Sequence, residues 1–169
     1  MKTTTYKIIF IAILIFSSLS CEKNQVNNND ITGKLINNTD CKTFKSASIG
    51  SEVSDTLSCI FYSFDPSANK LILKHVNAGF NCCPESLYCT VSLNNDTIII
   101  QEFEKEALCD CNCLYDLDIE LNGVQAKRYY IKIIEPYAID QEKLNFELDL
   151  GHSSEGSYCV TRKHYPWGI

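Results

Sequence analysis

The segment Tyr115-Asp116-Leu117-Asp118-Ile119-Glu120-Leu121 alternates strictly between apolar and acidic residues. Successive side chains of a β-strand point to opposite faces, so this segment has one dry face and one wet face. A helix would bring apolar residues together every three or four positions, and that period is rare in the chain after residue 31. The segment therefore predicts a half-buried strand in an all-β protein.

The same alternation recurs on both sides of this strand. Further strands are expected at about 57–64, 70–78, 87–93, 97–103, 128–135, 146–150 and 157–163, with turn-forming residues between them. About eight short strands bury one face each most simply as an antiparallel β-sandwich or flattened barrel. Short helices are expected only at 138–144 and 103–108.

The N-terminus carries an export signal. Lys2 and Lys7 precede a run of nine apolar residues from Ile8 to Phe16. Ser17-Ser18-Leu19-Ser20 then leads to Cys21. Nine apolar residues are too few to cross a bilayer core, which takes roughly 20. Residues 1–20 resemble the signal peptide of a bacterial lipoprotein, of the looser kind found in Bacteroidota. The resemblance implies cleavage before Cys21 and attachment of a diacylglycerol to its thiol.

The leader divides the chain into three parts. They are a signal peptide at 1–20, a lipidated N-terminus with a polar, asparagine-rich tether at 21–31, and a single domain at 32–169. The resemblance implies an outer-membrane lipoprotein of the cell envelope, on the periplasmic face or at the cell surface. Beyond the leader, 13 basic residues face 21 acidic residues, a net charge of 13 − 21 = −8. That charge argues against nucleic acid as a partner.

Cysteine is the second informative residue type, with ten in the chain. Apart from Cys21 they are Cys41, Cys59, Cys82, Cys83, Cys89, Cys109, Cys111, Cys113 and Cys159. An exported chain meets an oxidising compartment, where disulfides are the default. We expect at least one bridge between the group at 109–113 and the group at 82–89. Adjacent Cys82 and Cys83 should have different partners, because a vicinal bridge strains the peptide. The full pairing and the unpaired cysteine stay open.

The same cysteines also permit a soft-metal site. Cys109, Cys111 and Cys113 offer three thiolates within five residues, and Cys82 and His75 are further candidate ligands for Zn(II) or Cu(I). However, the chain has no Cys-x-x-Cys pair. Alternate residues on a strand also stand about 7 Å apart, too far to share one ion without a bend. Disulfides are therefore the expectation, with no metal or cofactor.

The sequence has no recognisable catalytic set. His75 has the parity of Leu71 and Leu73, and we expect it to be half-buried on an apolar face and bonded to the backbone. His152 lies in Gly-His-Ser-Ser-Glu-Gly, which is typical of a hairpin turn. Trp167, near the end of the chain, is expected to cap the sandwich. The sequence gives no support for nucleophilic catalysis, because there is no Gly-x-Ser-x-Gly elbow.

These features together predict a non-catalytic binding or structural module, held at the envelope membrane by its lipid. Its ligand would be an envelope protein, a peptide or a glycan. The alternative is an envelope metal-handling or thiol-redox protein that uses the cysteines at 109–113.

Two further resemblances concern the exported part of the chain. Asp55-Thr56-Leu57 and Asp96-Thr97-Ile98 resemble O-glycosylation sites of exported Bacteroidota proteins, which implies Thr56 and Thr97 as acceptors. Residues 71–137 are similar to small cysteine-rich secreted proteins of the same bacteria, which have no assigned function. This second resemblance therefore implies no activity.

Overall fold

The computed structural model describes residues 30–42 and 53–167, and these ranges form an all-β domain of nine strands. The predicted signal peptide, Cys21 and most of the predicted tether lie outside the described residues. The strands are β1 (Thr32–Asn38), β2 (Leu57–Asp65), β3 (Lys70–Asn81), β4 (Pro84–Asn94), β5 (Thr97–Ala107), β6 (Asn112–Asn122), β7 (Arg128–Ile134), β8 (Asn145–Asp149) and β9 (Glu155–Thr161). The sequence predicts all of them except β1.

The strands form two sheets that pack face to face as a β-sandwich. The first sheet has the order β1-β6-β3-β2-β9 and the second has the order β4-β5-β7-β8. The predicted fold class is confirmed, and all paired strands are antiparallel except β5 and β7, which are parallel. This exception arises because β6 belongs to the other sheet, so the chain crosses over and returns along β7 in the direction of β5.

Strand β1 forms although its own sequence gives no strand signal. Thr-Gly-Lys-Leu-Ile-Asn-Asn contains two adjacent aliphatic residues and no alternation. The segment is a strand because it pairs with β6, from Thr32 opposite Asn122 to Asn38 opposite Leu117. Ile31, the last residue of the predicted tether, is also buried in the core. The packed domain therefore includes residues before its predicted start at 32.

The short helices expected from the sequence are wrong. Residues 103–107 extend β5 along β4, because pairing between strands overrides their local helix preference. Residues 138–144 form turns and coil. Within the described ranges no helix is long and apolar enough to cross a membrane.

The core lies between the two sheets and follows the predicted alternation. Leu117, Ile119 and Leu121 of β6 are at most 2% exposed. Ile98, Ile100, Ile131 and Ile133 belong to the same cluster of buried residues and come from the second sheet. The side chains between the two sheets are closely packed, and this packing fixes the positions of the strand ends that carry the candidate site.

A β-bulge in β3 changes which residues of that strand reach the core. The register with β6 shifts just after His75, and Asn77 adopts the left-handed conformation with a φ of 63°. Beyond the bulge the core positions have even numbers, so Phe80 is in the core and Gly79 faces outward. Trp167 is fully buried over Gly79, and its indole Nε1 donates to the backbone oxygen of Asn77 at 2.6 Å. Trp167 thus covers the outer surface of β3.

Candidate functional site

A cleft of about 560 Å³ opens where the turn between β3 and β4 meets the segment after β1. Asp40 and Cys41 line one side, and Cys82, Cys83 and Ser86 line the other. Tyr115 of β6 also contributes to the lining. The volume lies in the range of small-ligand sites, which is roughly 300–1,000 Å³, but the cleft is open to solvent and its lining is mainly polar, unlike the mostly apolar walls of such sites.

Disulfides hold the walls of this cleft. Among the described residues the bridges are Cys41–Cys113, Cys59–Cys159, Cys82–Cys111 and Cys83–Cys109. Two of them join the groups at 82–89 and 109–113, and the adjacent residues Cys82 and Cys83 have different partners. Three of the four bridges contribute a cysteine to the cleft lining. The cleft therefore has covalently fixed walls.

Two of these bridges lie side by side. The sulfur of Cys82, which is bonded to Cys111, lies within 4.8 Å of both sulfurs of the Cys41–Cys113 bridge. We call Cys41, Cys82, Cys111 and Cys113 the sulfur cluster. Of the ligand set considered from the sequence, the structure brings together Cys82, Cys111 and Cys113, adds Cys41, and bonds Cys109 to Cys83 instead.

Asn81 ties the cysteine segments together by hydrogen bonds. Its side-chain Oδ1 accepts from the backbone N–H groups of Cys83 and Cys109, at 3.1 and 3.2 Å, and its Nδ2 donates to the backbone oxygen of Cys109. The phenol oxygen of Tyr115 lies 2.9 and 3.1 Å from the backbone oxygens of Asn81 and Cys82. Burial, with nearby carboxylates, raises the pKa of Tyr115. The phenol is therefore a neutral hydrogen-bond donor at this rim.

Cys89 is the free cysteine of the described residues. It lies on β4, is half-buried, and has a pKa raised to about 11 by burial and by the charge of Glu102. A thiol reacts as the thiolate, so Cys89 is a poor nucleophile near neutral pH. The structure thus gives Cys89 the properties of a small apolar side chain rather than a reactive group.

A second cluster of polar side chains is sealed inside the sandwich. His75 Nε2 lies 2.8 Å from the hydroxyl oxygen of Ser58, and His75 Nδ1 lies 2.8 Å from Glu102 Oε1. Ser58 and His75 have no exposed surface and Glu102 is 2% exposed. His75 lies on the same face of β3 as Leu71 and Leu73, as the sequence predicts. The predicted half-burial and backbone hydrogen bond are wrong, because His75 is fully buried and bonds to the side chains of Ser58 and Glu102.

An ion pair completes this cluster. Arg162 donates to both carboxylate oxygens of Glu135, at 2.5 and 2.6 Å, and to the backbone oxygen of Glu142. Glu135 Oε1 lies 3.8 Å from His75 Nε2, and the Arg162 guanidinium stacks 4.8 Å from the ring centroid of Trp167. We call Ser58, His75, Glu102, Glu135 and Arg162 the buried charge cluster. Both contacts to Glu135 come from one nitrogen, Nη2, while Nη1 donates to the backbone, so the pair is charge-assisted without being a two-nitrogen fork.

Burial and charge act in opposite directions on the central histidine. Burial lowers the pKa of His75, but the charge of Glu102 and the hydrogen bond to it outweigh burial, so the pKa is raised. Burial also raises the pKa of Glu102, against the opposing charge of His75. The His75–Glu102 pair therefore holds a proton more tightly in the folded state than the separate side chains would in water.

The order of hydrogen bonds from Ser58 through His75 to Glu102 is that of a serine-hydrolase triad. A nucleophile must reach a substrate carbonyl, and the buried Ser58 hydroxyl has no exposed surface. We therefore interpret the arrangement as a structural hydrogen-bond network.

Sequence reasoning missed the buried charge cluster, although a signal for it exists. Ser58, His75, Glu102 and Glu135 each continue the core alternation of a strand, after or before aliphatic residues at spacing two. A polar residue in phase with a core position must find a buried partner. Four such residues on four strands would have predicted a polar network at one end of the core, whereas each one alone suggests nothing.

The remaining predicted positions lie on the surface. The acidic face of β6 is paired with lysines, Asp116 with Lys42 at 2.5 Å and Glu120 with Lys70 at 3.0 Å. Thr56 precedes β2 and Thr97 begins β5, and both are half-buried. Comparison of the chain with protein-family models, with curated proteins and with solved structures finds no match.

Proposed function

We propose that the chain is a lipid-anchored protein of the bacterial cell envelope, and that its sandwich is a non-catalytic binding module. The observation that carries the proposal is the cleft of about 560 Å³ with three disulfides in its walls. Disulfides persist in oxidising compartments, which supports export. A rigid cleft loses little conformational freedom when a ligand enters, which supports binding. The ligand would be an envelope protein, a peptide or a glycan rather than a nucleic acid.

The anchor is tested by labelling cells with a clickable fatty acid. Wild-type protein should carry the label and sediment with the outer membrane, and Cys21→Ala should do neither. Equal labelling of the two proteins would overturn the proposed anchor. Protease treatment of intact cells would then distinguish the cell surface from the periplasmic face. Intact mass of the same material tests O-glycosylation at Thr56 and Thr97, since a mass equal to polypeptide plus lipid would exclude it.

The binding role is tested by placing a photo-crosslinking amino acid in the cleft of the full-length protein in its native cells. Ser86 is an exposed residue of the cleft lining, and Ser92 is an exposed residue of the same strand outside it. Irradiation should give a discrete adduct from position 86 and none from position 92. Equal yields at the two positions, or no adduct at either, would contradict a cleft-based binding function.

A soft-metal role is the second candidate, favoured by the sulfur distances. Tetrahedral thiolates bound to Zn(II) at about 2.3 Å stand roughly 3.8 Å apart, and the sulfur of Cys82 lies within 4.8 Å of the two bonded sulfurs of Cys41 and Cys113. Binding would require both bridges to be reduced. Elemental analysis of protein purified without chelator, before and after reduction with a phosphine, should show stoichiometric metal if this role is correct. Its absence in both samples would reject the role.

A further inference from the structure

We infer that the bridges Cys41–Cys113 and Cys82–Cys111 form one thiol–disulfide exchange unit, which accepts an electron pair from an external dithiol and passes it inward. The basis is the proximity of their sulfurs, with Cys41, Cys82 and Cys113 within 4.8 Å of one another. Exchange proceeds by direct attack of a thiolate on a disulfide sulfur, so neighbouring bridges can trade partners without large backbone movement. This activity goes beyond ligand binding and does not depend on it.

The two bridges differ in access. Cys111 is exposed, whereas Cys113 is 3% exposed and belongs to the core. Cys41 and Cys82 are half-buried and both line the cleft. An external thiol therefore meets the outer bridge, Cys82–Cys111, before the inner bridge, Cys41–Cys113. The sulfur of Cys82 lies within 4.8 Å of both sulfurs of the inner bridge, so Cys82 is the cysteine of the outer bridge that can attack it.

The first step consumes the dithiol. One of its thiolates attacks the sulfur of Cys111, the bond to Cys82 breaks, and the electron pair leaves on the Cys82 thiolate. The second thiol of the reductant, after losing its proton, attacks the mixed disulfide and releases Cys111 as a thiolate that takes up a proton. The dithiol leaves as a disulfide, so two electrons have entered the chain.

The second step moves the remaining bridge. The Cys82 thiolate attacks one sulfur of the inner bridge and forms a new disulfide with it. The bond between Cys41 and Cys113 breaks, and the sulfur that was not attacked leaves as a thiolate and takes up a proton. The number of disulfides does not change in this step. The reduced position has moved from Cys82 to a cysteine of the inner bridge.

The other cysteines stand outside this unit. Cys59–Cys159 joins directly paired residues of β2 and β9, and although Cys159 is exposed, neither sulfur belongs to the group within 4.8 Å of one another. The same holds for both sulfurs of Cys83–Cys109. Cys89, with its pKa of about 11, stays protonated near neutral pH and does not initiate exchange. Exchange should therefore be confined to the sulfur cluster rather than spread over the whole domain.

A pair of single substitutions in the full chain tests this. Cys111→Ser leaves Cys82 without its partner, and the matched control Cys109→Ser leaves Cys83 without its partner; the bridges removed span 29 and 26 residues. After folding at pH 8 and acid quenching, disulfides are mapped in non-reduced peptides, with fragmentation that resolves neighbouring cysteines. In Cys111→Ser we expect Cys82 bonded to Cys41 or Cys113 in more than roughly a tenth of the molecules, a ratio within tenfold of the native pairing. In Cys109→Ser we expect Cys83 alkylated and no new bridge.

Two outcomes would overturn the inference. One is a Cys111→Ser protein with Cys82 fully alkylated and Cys41–Cys113 intact, and the other is equal rearrangement in both variants. Wild-type protein with one equivalent of dithiothreitol gives the same test without a substitution. Alkylation should then appear at Cys111 together with Cys41 or Cys113. Alkylation only at Cys82 and Cys111, or spread evenly over all the bridged cysteines, would contradict the exchange unit.

Discussion

The sulfur cluster and the buried charge cluster are both assembled from distant parts of the chain, yet they differ in how they are held and in what reaches them. The sulfur cluster lines a cleft and is covalent, and Cys111 is exposed. The buried charge cluster lies inside the core, is held by hydrogen bonds and charge, and its members are all nearly inaccessible. An accessible cluster can perform chemistry, whereas in a sealed cluster a change of protonation alters mainly the stability of the fold.

Among the variants compared here, the largest loss of stability is expected when the inner bridge of the sulfur cluster is removed. Cys41→Ala/Cys113→Ala removes a bridge that spans 72 residues, and loop-closure entropy gives a loss of at most about 4.4 kcal/mol in the free energy of unfolding, since the remaining bridges shorten the loop that opens. The control Cys83→Ala/Cys109→Ala removes a bridge that spans 26 residues and should lose much less, because Cys82–Cys111 still holds the two ends of that segment together. Urea denaturation measures both. A smaller loss for the longer loop would show that native-state contacts, rather than chain entropy, determine how much the bridges of the sulfur cluster stabilise the fold.

Breaking the ion pair of the buried charge cluster should cost nearly as much. Arg162→Met keeps the volume of the side chain but leaves Glu135 buried without its partner, which typically destabilises a protein by about 3–5 kcal/mol. Lys127→Met is the matched control, because Lys127 pairs with Asp96 on the surface and such pairs contribute little. Denaturation curves should show a large shift for the first variant only. Equal shifts would mean that the charge of Glu135 is relieved by protonation or by water.

The sequence alone predicts features that depend on residues close together in the chain, and it does not predict contacts between residues that are far apart in the chain. Alternation is local, so Leu117 and Ile119 of β6 identify core positions without any knowledge of the partner strand. The sequence of β1 has no such alternation. The segment becomes a strand only because it pairs with β6. Cys41 is bonded to Cys113 because the segment after β1 meets β6 at that point, and the spacing of cysteines along the chain does not predict this contact. Glu135 follows β7 and Arg162 follows β9, which belong to different sheets, so the two side chains meet only when the sheets pack.

A substitution under Trp167 tests the cover of the buried charge cluster. A Cβ at Gly79 would lie 2.5 Å from the indole ring of Trp167, so Gly79→Ala must displace the ring. Overpacking of this kind costs about 1–3 kcal/mol. Trp167 is the single tryptophan of the chain, so its fluorescence spectrum reports the displacement directly.

The control for this variant is Gly156→Ala. Its Cβ would lie 2.6 Å from the hydroxyl end of the Tyr62 side chain, which can move more easily than a buried indole. We expect a smaller loss of stability and an unchanged tryptophan spectrum. An unchanged spectrum in Gly79→Ala as well would show that the backbone of β3 moves instead of the ring, so that the indole over Arg162 is the more rigid side of this contact.

The smallest expected effect is a dependence of stability on pH that comes from the buried charge cluster. The pKa of His75 is raised above 6.5 in the folded protein, so the stability from this group is complete below pH 6.5 and is lost as pH rises through the raised value. Glu102, raised from 4.5, acts with the same sign from a lower pH. Surface carboxylates with lowered pKa values, such as Asp65 and Asp149, lose their contribution only as pH falls below about 4. The interval just above pH 6.5 therefore reports on His75 and Glu102, whereas Cys89, with its pKa raised from 9.0 to about 11, adds a decrease of the same sign only as pH approaches 9.

Urea denaturation between pH 6.5 and pH 8.5 should show the free energy of unfolding decreasing as pH rises, by at most about 1.4 kcal/mol per pH unit for one proton. Glu102→Gln removes the charge that raises the pKa of His75. Burial and the charge of Arg162 then oppose protonation, with only Glu135 in favour. The variant should lose the decrease above pH 6.5 and instead gain stability as pH rises toward 6.5. The same downward slope in wild type and variant would place the proton on another group and separate the titration from the buried charge cluster.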